Sequence, residues 1–226
     1  MNNVEILEKN LKYRFNSLEL LRNSITHRSA SQTNNERLEF LGDSILNFVI
    51  TSEIYKRHTN LKEGELSRLR ASMVRKETLC AIANKIDLGD FLYLGSGEKK
   101  SGGFRCESIL ADALEAIIGA IYLDSYYNMD TTQNVIVNLY RNRLNAVPDL
   151  KSLKDSKTIL QEYLQSQKLD LPSYELLKTE GMAHEQDFIV GCFIESLRIK
   201  TSGRDKSRKK AEQKAAKEAL IEIKNK

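Results

Sequence analysis

The sequence predicts an all-α domain followed by a small α+β domain of order α-β-β-β-α. Three observations lead there. Apolar residues recur at helical spacing through most of residues 17–145, with little strand-like alternation. The pattern then breaks at a short polar stretch, PDLKSLKD, which contains Pro148, one of only two prolines. Beyond it, a helical segment is followed by three runs bounded by turn residues and then a second helical segment. These features divide the chain into residues 1–147, a linker over 148–154 and residues 155–226.

In the first domain, residues 17–23 read as a short helix and 35–56 as a long one, apolar on most of its circumference. Residues 63–86, 106–124 and 129–145 read as three more. Between them LGSGEKKSGGF, residues 94–104, is rich in glycine and serine and reads as a loop. It lacks the GxxxxGK[ST] spacing and follows no strand, so no nucleotide cofactor is expected. Lys99 and Lys100 are candidates for positioning a substrate backbone. In the second domain SKTILQEYLQSQ reads as a helix with Ile159, Leu160, Tyr163 and Leu164 on one face. SYELLKTEG, QDFIVGCFIE and SLRIKTSG read as an antiparallel meander. Residues 206–223 close the chain as a helix with Ala211, Ala215, Ala219 and Ile223 turned inward.

The bulk properties narrow the function class. The 226 residues suit one large domain or one medium domain plus a small one. No apolar run reaches the roughly 18 residues of a membrane span. The N-terminus shows no long apolar stretch, so no signal peptide is expected. Cys80, Cys106 and Cys192 offer neither a disulfide framework nor a zinc spacing, and read as buried thiols in a reducing cytoplasm. The net charge of +4 is unevenly placed: residues 151–226 carry 16 basic against 12 acidic side chains, and the chain from Arg198 onward 11 against 4. Such an asymmetry suggests a polyanion-facing C-terminal part, although a solvated lysine-rich helix has the same composition.

The segment NERLEFLGDSILNFVI, residues 35–50, combines eight large apolar residues with Glu36, Glu39 and Asp43. Residues three and four apart share a helix face, so these acids form one stripe. A second stripe, Asp112 and Glu115, lies in ESILADALEAIIGAIYLD, residues 107–124. Three explanations fit the spacing. The acids could face solvent, they could pair with Arg37, Arg68 or Arg70, or two facing helices could present them to a hard divalent cation such as Mg²⁺ or Mn²⁺.

The wording of these segments resembles the ribonuclease III family. NERLEFLGDS matches the family signature over its full length, and ESILADALEAIIGA is similar to its second acidic motif. THRSAS (26–31), EGELSRLRASMVR (63–75) and LGSGEKKSGGFR (94–105) resemble further family blocks, in the bacterial order. The α-β-β-β-α segment resembles a double-stranded RNA-binding domain. The resemblance implies a Mg²⁺-dependent endonuclease of double-stranded RNA, with Mn²⁺ a possible substitute. It implies 5′-phosphate and 3′-hydroxyl ends with short 3′ overhangs, a homodimer, and processing of precursor ribosomal RNA and some messenger RNAs. By the same resemblance Glu39, Asp43, Asp112 and Glu115 are metal ligands, with Asp43 and Glu115 foremost in catalysis. Glu36 and Glu63 are supporting acids, although EGEL also reads as an ordinary helix start, and Phe40 is a dimer contact or else a plain core residue; His27 reads as structural because no second histidine lies at ligand or general-base spacing.

In the second domain the resemblance assigns RNA contacts to Thr158, Gln161 and Glu162 on the first helix, to His184 in GMAHEQ, and to Arg208, Lys209 and Lys214 on the last. Cations crowded at a helix N-terminus oppose the helix dipole, which suits a phosphate partner. Duplex RNA is read mainly by shape, so binding is expected to depend strongly on salt and little on base sequence. Two rival readings are an RNA-binding regulator with an inactive nuclease domain and a structural helical protein with a basic tail. The paired acids oppose both.

Overall fold

The computed structural model describes residues 3–146, 148–149, 154–181 and 186–225. The chain divides into two units, Met1–Pro148 and Asp149–Lys226. The first contains α1 (Asn3–Leu11), α2 (Leu18–Ser24), α3 (Glu36–Arg57), α4 (Glu63–Val74), α5 (Lys76–Lys85), α6 (Ser96–Lys100), α7 (Glu107–Asp124) and α8 (Met129–Leu144). Helix α7 is the axis of this unit. Leu110, Ala113, Leu114, Ile117, Ile118 and Ile121 are all fully buried along it. A helix apolar on every side is stable only when surrounded, and α2, α3, α5 and α8 pack around this one.

Several elements differ from the pattern-based expectation. The run 63–86 is two helices, because Arg75 is extended (φ −69°, ψ 153°) between α4 and α5. No glycine or proline marks this break. The turn is tied instead by the Thr78 hydroxyl, which donates to the Ser72 carbonyl at 2.8 Å. The segment 94–104 is not an irregular loop: it holds α6 and the start of a 3₁₀ turn over Gly103–Arg105. Helix α1 was outside the expected elements, yet it buries Leu7 and Leu11. Cys80 and Cys192 are buried as expected, but Cys106 is exposed at the start of α7.

The last residue of α7, Asp124, is buried. A carboxylate at a helix C-terminus opposes the helix dipole, so something must hold it there. It accepts from the Tyr13 hydroxyl at 2.8 Å, from Asn16 N–H at 2.9 Å and from Ser17 N–H at 2.7 Å. One side chain therefore fixes the connection from α1 to α2. Asp124→Asn turns one acceptor oxygen into a donor facing these donors. It is expected to lower stability by about 2–3 kcal/mol in urea unfolding. A variant within experimental error of the parent would show that the anchor is dispensable.

The second unit contains α9 (Ser156–Ser166), β1 (Ser173–Glu180), β2 (Asp187–Ile194), β3 (Ile199–Asp205) and α10 (Arg208–Lys224). The strands form one antiparallel sheet in the order β1-β2-β3, with a register irregularity between Leu176 and Lys178. Leu160 and Leu164 of α9, Cys192 and Ile194 of β2, Ile199 of β3 and the alanines of α10 make its core. Ala211, Ala215, Ala216 and Ala219 are fully buried, and their short side chains let α10 lie close on the sheet.

Candidate active site

The acids meet where α3 crosses α7, the most extensive helix–helix contact among the described residues. Glycine makes that crossing possible. A Cβ on Gly42 would stand 1.7 Å from the Glu115 carbonyl oxygen, and one on Gly119 would stand 2.3 Å from that of Leu38. Without side chains there, the two backbones touch. Glu39, one turn before Gly42, is thereby brought against Asp112 and Glu115. One ligand oxygen from each of these three lies within 4.8 Å of the others.

Asp43, expected as a fourth member, stands outside this group. It is exposed, and its Oδ1 accepts from the Asn47 amide at 2.8 Å. Its charge still acts on Glu115. Burial first, then the charges of Asp43, Asp112 and Glu39, push the Glu115 carboxyl up to about 8. Glu39 is raised by burial and by Asp112, Glu36 and Asp43, and Asp112 is raised by burial. Lys76 lowers all three, and its ammonium stands 3.9 Å from Asp112.

The other expected residues fall at different distances from this centre. Glu36 is half exposed and pairs with Arg28 at 3.5 Å. The two line a cleft of about 220 Å³ together with His27, Glu39, Ser108 and Asp112. The pairing partners are thus Arg28 and Lys76, not Arg37, Arg68 or Arg70. Glu63 opens α4, is exposed and accepts from the Ser67 hydroxyl at 2.8 Å, outside the acidic group. Phe40 is 80% exposed, which excludes a core role within the chain. Phe48 and Tyr55 are exposed along the same helix.

On the second unit, Thr158 sits in the first turn of α9 and its hydroxyl donates to Asp155 at 3.1 Å. Gln161 is exposed, and Glu162 pairs with Lys154 at 2.5 Å. Arg208 and Lys209 open α10 with no acid in its first turn. Both are exposed, and Arg208 reaches Glu212 at 3.4 Å. Lys214 donates to the Arg204 carbonyl and pairs with Asp205, each at 2.9 Å. His184 lies outside the described residues.

Comparison with known proteins places this geometry. A family profile described as Ribonuclease-III-like matches residues 17–144, and one described as Double-stranded RNA binding motif matches residues 156–223. Ribonuclease 3 of Aliivibrio fischeri is 49% identical over 222 residues, covering 98% of this chain and 99% of the relative. The chain belongs to the ribonuclease III family. Ribonuclease 3 of Hahella chejuensis is 52% identical over 220 residues, covering 97% of this chain and 96% of the relative. The crystal structure of the nuclease domain of ribonuclease III from Campylobacter jejuni superimposes with a TM-score of 0.61 at 39% identity. It covers 66% of this chain and the whole of that domain.

As a ribonuclease III, the chain is an endonuclease acting on double-stranded RNA. Its acidic group is able to hold a metal ion, and its C-terminal unit is built to bind duplex RNA. No helix among the described residues is long and apolar enough to cross a membrane. Sequence reasoning missed Lys76 and Asn47, which contact the acids directly. The break at Arg75 hid the first, because it makes Lys76 the opening residue of a new helix.

Proposed function

We propose that this ribonuclease III is Mg²⁺-dependent and that Glu39, Asp43, Asp112 and Glu115 form its metal centre. The observation that carries the reading is the three-acid group, with Glu115 buried inside it. Carboxylates this close, without a matching set of cations, are costly unless a cation joins them. Donors that are all oxygen, with no histidine or cysteine, suit a hard ion. A bound divalent ion supplies charge neutralisation at the phosphodiester and a water of lowered pKa. The chain's own part is to hold the carboxylates in place. Glu39, Asp112 and Glu115 are fixed by the α3–α7 crossing, and Asp43, steadied by Asn47, completes the set on the exposed side. Glu36, with Arg28, and Glu63 support the centre by ordering water or touching RNA.

Cleavage leaves 5′-phosphate and 3′-hydroxyl ends with short 3′ overhangs. Two copies pair through the exposed face of α3, with Phe40 as a contact, so each of two centres cuts one strand. Precursor ribosomal RNA and some messenger RNAs, in the cytoplasm, are the substrates. The test is a labelled perfect RNA duplex incubated with Mg²⁺ or with EDTA, alongside Asp43→Asn. Cleavage is expected with Mg²⁺ alone, and the variant is expected to bind the duplex while cutting very little. Undiminished cutting in EDTA would remove the metal from the mechanism.

Thr158, Gln161, Glu162 and His184 are proposed to reach the minor grooves, and Arg208, Lys209 and Lys214 the phosphates between them. Each phosphate contact contributes about 0.9 to the slope of log affinity against log salt. Arg208→Ala combined with Lys209→Ala is therefore expected to weaken duplex binding and flatten that slope by roughly 2. An unaltered slope in filter-binding titrations would take both residues out of the interface.

A further inference from the structure

One cation stands against the acidic group from outside the two helices that carry it. Lys76 opens α5, which packs on α7, and its ammonium lies 3.9 Å from Asp112. Its side chain is 65% exposed, so it approaches the group from the solvent side and is not locked by packing. The extended Arg75 sets this direction by ending α4 just before it. A lysine ammonium is a compact, strongly hydrated charge on a flexible four-carbon stem, able to engage an acid and to leave it. Arg28, which lines the cleft, pairs with Glu36, which is not one of the three clustered acids, and acts on Asp112 through its charge without an ion pair to it.

We infer that Lys76 is a tethered counter-cation: it compensates the Glu39, Asp112 and Glu115 group in the metal-free enzyme and competes there with the divalent ion. The inference rests on the metal centre proposed above and adds that this chain sets its own metal demand. When the ion binds, the ammonium gives up Asp112 and turns to solvent. Reciprocity of coupling requires that whatever lysine gains by facing the acids is subtracted from metal affinity. Two other roles make different predictions. A lysine that merely steadied Asp112 would strengthen metal binding by its presence. A lysine that held an RNA phosphate would leave metal binding in the absence of RNA untouched.

The experiment is a calorimetric titration of the full-length protein with Mn²⁺ in the absence of RNA, for wild type, Lys76→Gln and Lys76→Arg. Lys76→Gln is expected to bind Mn²⁺ roughly three- to tenfold more tightly, with the difference shrinking as KCl is raised. Lys76→Arg, which keeps the charge, is expected to stay within about twofold of wild type. The Mg²⁺ concentration for half-maximal cleavage should fall in parallel for Lys76→Gln. Wild type and Lys76→Gln binding Mn²⁺ equally, or the variant binding more weakly, would overturn the inference while leaving the metal centre intact. A wild type that binds no Mn²⁺ would overturn the metal centre and this inference with it.

Discussion

Gly42→Ala is expected to be the most damaging single-methyl change in the first unit. The added Cβ would stand 1.7 Å from the Glu115 carbonyl oxygen and 2.9 Å from the Gly119 nitrogen, both backbone atoms that no rotamer change can move aside. The helices must separate, and the buried faces of α3 and α7 lose their fit. Overpacking a core usually costs about 1–3 kcal/mol. A backbone collision at the central crossing belongs above that range. Equilibrium unfolding in urea should show the loss, and residual folded protein should bind Mn²⁺ poorly because Glu39 has been displaced from Glu115. Normal stability in Gly42→Ala would mean that the crossing tolerates a wider spacing.

The second large effect concerns Glu115, which is expected to act in opposite directions on activity and on stability. Glu115→Gln should lower duplex cleavage by roughly a thousandfold or more, since a metal ligand contributes several kcal/mol of charge stabilisation. In EDTA the same variant should be the more stable protein at alkaline pH. Folded Glu115 keeps its proton up to about 8, against an ordinary value of 4.5. Between those pH values the folded state binds more protons than the unfolded one, so wild-type stability falls as pH rises through the window. Glutamine has no proton to lose. Its advantage should be absent near pH 4, grow toward pH 8 and reach about 1–3 kcal/mol. Thermal melts across that range check the sign, and a variant that is less stable at pH 9 would contradict the account.

Much of this was legible in one dimension, for identifiable reasons. Residues 106–124 read as a helix because their apolar positions leave no other period, and Glu107–Asp124 form α7. The α-β-β-β-α order was legible because turn residues bound each run in the second unit. The split at Arg75 was not, since it depends on the Thr78 hydroxyl reaching the Ser72 carbonyl and not on a breaker residue. Losing that split also lost Lys76. Spacing identified the acidic stripes, but which acids converge depends on where two helices cross. That point is set by Gly42 and Gly119, which a periodicity reading treats as weak positions in a helix. Phe40, Phe48 and Tyr55 made α3 look buried on most sides, whereas a single chain leaves all three in water.

The backbones of α3 and α7 touch at Gly42 and Gly119, beside a carboxyl group that burial and its acidic neighbours push up to about 8. The bundle is therefore locally frustrated by construction: packing closes the crossing over Glu115, while burial and the acids beside it disfavour the charged carboxylate there. Most natural proteins lie only slightly above the stability they need, and stabilising an active site commonly costs its function. Selection for thermostability alone, with metal withheld, should thus converge on neutral replacements at Glu39, Asp112 and Glu115. The survivors would be firmer proteins that no longer cut RNA.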